Sequence, residues 1–158
     1  MNTFIVILGW SITVILLILF TPRSKIRHAI VIFFFKQFLT WILGLTVAEF
    51  GLIEYPVRSF ANATKSSFDF EYFIYPAFCV IFNLHYPESK DVSKQFMYYF
   101  SYCSVLTLIE AVVEKYTDVI TYIHWAWYIT WITFFITFYA SRKFYLWFYK
   151  LDGSSNKS

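Results

Sequence analysis

Glu110 and Glu114 stand one helical turn apart near the end of a long apolar stretch, and His124 lies about as far beyond Thr117-Asp118 as Glu110 lies before it. A carboxylate and an imidazole at one depth can share a proton or hold a cation, and an ionisable group inside a membrane segment is costly enough to need a partner. If the two stretches form an antiparallel helical hairpin, residues equidistant from its turn lie at equal depth. A hydrogen-bonded Glu110 and His124 pair is then expected, with Glu49 or Arg58 completing a polar pocket. The plainer alternative lets Glu114 and His124 reach interfacial water and gives Glu110 one structural bond.

A second concentration of polar groups occupies "IEYPVRSFANATKSSFDFEYFIYP", residues 53 to 76, which carries Glu54, Asp69, Glu71 and Pro76. Pro76 cannot donate to the carbonyl of Tyr72, so a helix running through it is expected to kink about one turn inside its outer end. Metal chemistry has weaker support. Glu110 and Glu114 at i, i+4 lack the Glu-x-x-His and His-Glu-x-x-His spacings of metal-binding helices, so no metal or other cofactor is assigned. With four glycines in the chain there is no phosphate-binding loop, dinucleotide fingerprint or nucleophile elbow either.

The elements that position these groups follow from composition. Of 158 residues 59% are hydrophobic, 25% aromatic and 15% charged, more apolar surface than a water-soluble domain of this size can bury. The net charge of +3 is small and scattered, which argues against nucleic acid as a partner. Cys79 and Cys103 sit inside apolar runs, where a thiol behaves as a small hydrophobe.

A helix needs roughly 20 apolar residues to cross about 30 Å of hydrocarbon. Five stretches meet or approach that length: about 3–20, 29–50, 70–87, 95–116 and 119–140. Their apolar runs do not alternate, so they are read as helices and not barrel strands. The fold expected is all-α, a single five-helix transmembrane bundle over residues 1–150 with a disordered tail at 151–158. The first stretch has no basic residue before it and no small-residue cleavage motif after it, so it is read as an uncleaved helix.

Cations then orient the bundle. Arg23, Lys25, Arg27, Lys90, Lys94, Arg142, Lys143, Lys150 and Lys157 gather on one side, against Arg58, Lys65 and Lys115 on the other. The richer side is expected to be cytoplasmic, placing the N-terminus outside and the C-terminus inside. Glu49, Glu54, Asp69, Glu71, Glu110, Glu114 and Asp118 fall at the outer ends, which suits an outer face that attracts cations or binds protons. The segment "SRKFYLWFYKL", 141–151, reads either as an interfacial helix on the cytoplasmic leaflet or as a two-turn extension of helix five.

Taken together, "GLIEYPVRSF", "SFDFEYFIYPAFCVIFNLHYP", "YTDVITYIHWAWYITWITFFIT" and "SRKFYLWFYK" resemble a family of small, uncharacterised polytopic membrane proteins of spore-forming Gram-positive bacteria. The resemblance implies a bacterial plasma membrane and no particular activity. The first functional expectation is a non-catalytic accessory, sensor or assembly component, with the bilayer, a membrane-protein partner or further copies of itself as partners. A small oligomeric transporter or proton-linked channel using the outer carboxylates comes second, and a lipid-modifying enzyme third.

Overall fold

The computed structural model describes residues 2–149 and is helical, with five α-helices and one short strand pair. Three helical segments, Thr3–Phe20, Arg23–Glu49 and Val92–Tyr116, are long and apolar enough to cross a membrane. The disordered tail expected at 151–158 lies outside the described residues.

Helix α1 (Asn2–Phe20) is an uninterrupted run of apolar and small residues that stops before Pro22. Helix α2 (Ile26–Glu49) ends where Gly51 takes a left-handed φ of 63°, with Gly51 N–H donating to Ala48 O at 3.2 Å and Leu52 N–H to Val47 O at 3.0 Å. This pair of bonds satisfies carbonyls of the last turn and is the usual reason for glycine there. Gly51 therefore terminates α2. A π-helical turn (Phe68–Ile74) leads into α3 (Tyr75–Leu84), and α4 (Val92–Tyr116) and α5 (Trp127–Phe148) complete the bundle.

Helix α5 begins and ends eight residues later than the expected 119–140. Residues 117–126 are not helical: Thr117 and Ala126 are extended, and β2 (Thr121–Tyr122) pairs antiparallel with β1 (Ile53–Glu54), Ile53 facing Tyr122. Val119 to Ile123 is a β-branched and aromatic run, apolar enough to pass for helix but better suited to extended backbone. At its other end α5 runs on through Phe148, so 141–148 extends the helix and is not a separate one.

Helix α2 packs on α3 and the π turn, α5 closes against α2 and α4, and α1 leans on α3 and the π turn. The main core centres on Phe82, whose ring lies 5.0 Å from Phe138 and 5.3 Å from Tyr99, with Ile32, Cys79 and Cys103 beside it. A smaller core of Val6, Ala48, Ile53, Tyr55, Val119 and Ile120 ties the strand pair to α1 and α2.

The distribution of polarity is inverted relative to a protein built for water. Lys36, Gln37, Thr40, Glu71, Asn83 and Glu110 are buried, whereas Ile18 is 73% exposed, Leu19 71% and Leu108 64%. An apolar exterior around a polar interior is what a hydrocarbon solvent selects.

Candidate functional site

Helices α2, α3, α4 and α5, the π turn and Ile53 of β1 converge on one cavity of about 50 Å³, room for a few water molecules at most. Glu71 and Glu110 both line it, together with Thr40, Tyr55, Tyr75 and Thr130.

Local backbone chemistry fixes Glu71. Within the π turn Tyr75 N–H donates to Phe70 O, five residues back, so it is withdrawn from the Glu71 carbonyl it would serve in an α-helix. The next residue, Pro76, has no N–H for Glu71 or Tyr72. Two carbonyls are thus left without these backbone donors, and α2 supplies replacements: Thr40 Oγ1 donates to Glu71 O at 2.6 Å and Gln37 Nε2 to Tyr72 O at 2.8 Å. Where a kink is expected at Pro76, the backbone changes from π to α geometry at Tyr75. Gly44 provides the space for the Glu71 side chain, since a Cβ there would stand 2.6 Å from Glu71 Cγ and 2.8 Å from Ser66 Oγ. Glu71 Oε1 accepts from Tyr55 at 3.0 Å, and Oε2 takes no hydrogen bond among the described residues.

Glu110 is held more completely. Tyr75 donates to Oε2 at 2.6 Å, while Oε1 accepts from Tyr122 at 2.7 Å and Thr130 at 2.8 Å. Trp125 Nε1, which can only donate, points at Thr130 Oγ1 at 2.8 Å and leaves the threonine proton for the carboxyl. Burial, then the Glu71 carboxyl, raises the Tyr55 hydroxyl well above the ordinary tyrosine range, and burial with Glu110 does the same at Tyr122. Both phenols remain proton donors at neutral pH.

Lys36, completely buried in α2, reaches the same region from the side. Its ammonium donates to Thr137 Oγ1, a residue of the cavity wall, and lies 4.2 Å from the centre of the Phe138 ring. No carboxylate lies within ion-pair distance of it among the described residues.

Several expected roles need correction. His124 does not pair with Glu110: its side chain is exposed and its backbone N–H donates to Leu52 O at 3.1 Å, because 117–126 is not helical and Tyr122 bonds Glu110 in its place. Glu49 is an exposed ion-pair partner of Lys65 at 3.1 Å. Arg58 does not enter the pocket; it clamps its own loop through the carbonyls of Tyr55, Ala61 and Thr64. Glu114 is half-buried outside the cavity wall, and Glu54 is exposed on β1. Asp69 is buried but fully engaged, accepting from Trp10 Nε1 and from both the N–H and hydroxyl of Ser59 at 2.9 Å, which ties the loop to α1. Of the expected residues the cavity brings together Glu71 and Glu110.

Motif spacing does not single out Tyr55, Tyr75 and Thr130, which line the pocket, or Tyr122 and Lys36, which hydrogen-bond to the lining residues Glu110 and Thr137. A periodic signal for part of the set is nonetheless present. Lys36, Thr40 and Gly44 recur every fourth residue in α2, as do Glu71, Tyr75, Cys79 and Asn83 through the π turn and α3. Polar residues at helical spacing in apolar segments mark an inward face. No family model, curated protein or solved structure matches the chain, so the pocket's chemistry is read from its own groups.

Proposed function

We propose that this chain is a multi-pass protein of the bacterial plasma membrane, working as a non-catalytic component that binds protons or a small cation in the Glu71 and Glu110 pocket. In this reading the chain crosses five times, the π turn and α3 together making the third crossing, with the N-terminus and the pocket mouth external and the C-terminus cytoplasmic. Cation asymmetry supports that orientation, and the family resemblance supports the bacterial membrane.

The observation that carries the functional reading is two buried carboxyl groups on one small cavity, surrounded by hydroxyl donors and not by fixed cations in ion-pair contact. Carboxyls so placed are not consumed by structural ion pairs and are available to a proton or a cation. A space of about 50 Å³ is too small for an organic solute and suits an inorganic ion or water.

A hydrophobic carbodiimide, which attaches to protonated carboxyls in apolar surroundings, tests the reading on the purified full chain. Peptide mapping should find the adduct on Glu71 or Glu110, with labelling slowed by raising pH. Modification confined to exposed Glu49, Glu54 and Glu88 would refute the pocket assignment.

A further inference from the structure

The polar groups do not stop at the pocket. On α5, Thr130, Thr133, Thr137 and Ser141 follow one another at intervals of three or four residues and share a face over roughly 16 Å at about 1.5 Å per residue. Each step of this face except Thr133 meets a polar side chain of another element: Thr130 meets Glu110, Thr137 meets Lys36, and Ser141 meets Cys79 and Asn83 of α3 at 3.1 and 3.4 Å. Beyond Asn83, Arg142 is buried, donates to Asn83 O at 3.3 Å, lies 4.3 Å from the Tyr86 ring centre and pairs with Glu88, which reaches solvent. Asn83 Oδ1 is buried and has no hydrogen-bond partner among the described residues. Such an acceptor is the mark of a place for water.

We propose that this axis carries protons between the two membrane faces, with Lys36 as the central proton-holding group and the Glu88–Arg142 pair as the gate at the cytoplasmic end; the proposal rests on the pocket reading above. Charge selects the permeant species. A metal cation would have to pass the Lys36 ammonium, which repels it, whereas a proton is handed on by the amine itself. The titratable groups facing Lys36 are Cys79 of α3, Cys103 of α4 and Glu71 of the π turn.

Each transfer balances. A protonated outer carboxyl passes its proton through cavity water to the neutral Lys36 amine, leaving carboxylate and ammonium, and a proton taken from the external solution restores the carboxyl. The ammonium then gives its proton to water beside Ser141 and Asn83 and returns to amine. When the Glu88–Arg142 pair parts, that water hands the proton to the cytoplasmic water beyond the gate.

The test is the full chain reconstituted in vesicles with an internal pH dye and a potassium diffusion potential of either sign. Wild-type vesicles should change internal pH faster than protein-free vesicles, equally in sodium and in a bulky organic cation. Lys36→Met should abolish the excess rate, and Glu88→Gln, which weakens the gate, should increase it. A gain of rate is a result that misfolding does not produce. The proposal is overturned if neither wild type nor Glu88→Gln exceeds protein-free vesicles, if Lys36→Met conducts like wild type, or if the signal requires sodium. Carbodiimide labelling of Glu71 or Glu110 in the same preparations separates the two failures: labelling without flux removes the proton path alone, and absence of labelling removes the pocket reading with it.

Discussion

Gly44 is the residue at which helix propensity and pocket geometry give opposite expectations. Alanine is favoured over glycine in a helix by about 1 kcal/mol, so Gly44→Ala would stabilise α2 if space alone were neutral. The added Cβ instead stands 2.6 and 2.8 Å from Glu71 Cγ and Cδ. We expect net destabilisation of about 1–3 kcal/mol, the range for overpacking a filled interior, together with altered carbodiimide labelling of Glu71. A thermal melt in detergent checks the first, and a rise in melting temperature would show the site to be roomier than described. Tyr75→Phe removes the 2.6 Å donor to Glu110 and leaves a buried carboxyl oxygen short of a partner. A loss of about 1–3 kcal/mol is expected, larger than for the same change at exposed Tyr128, measured by the same melts.

Helix α2 acts on the π turn through two side chains, and that coupling is measurable. Gln37 caps the Tyr72 carbonyl because Pro76 cannot. Gln37→Leu should therefore destabilise the wild-type chain, while in a Pro76→Ala background a restored N–H can serve Tyr72 and the same change should cost less. A coupling of about 0.5–3 kcal/mol in the double-mutant cycle is predicted, and strict additivity would contradict the assigned role of Gln37. This exchange also shows what sequence can and cannot convey. The missing donor at Pro76 is written in the residue type, and so are the long apolar spans. The rescuing donor, Gln37, thirty-five residues before Tyr72, depends on how α2 packs on the π turn. The displaced start of α5 has a related cause: Val119 to Ile123 satisfies an apolar length rule whether helical or extended, and pairing with Ile53–Glu54 settles the matter. That displacement puts Tyr122, and not His124, beside Glu110. Gly51, by contrast, is a helix stop legible in the residue type itself.

At the scale of the whole molecule, the proposed mechanism depends on which water each end of the polar axis faces. Outer carboxyls, central Lys36 and the Glu88–Arg142 pair form a directional series only if the loop at 55–67 and the loop at 85–91 lie on opposite sides of the bilayer. Asn62 and Ser89 are exposed positions in those loops, while both native cysteines are fully buried, so single introduced thiols report cleanly. The most direct measurement is reaction of Asn62→Cys and Ser89→Cys with a membrane-impermeant maleimide on intact cells. The account predicts labelling of Asn62→Cys at once and of Ser89→Cys only after the membrane is permeabilised. Labelling of both on intact cells, of neither, or of Ser89→Cys alone would contradict it.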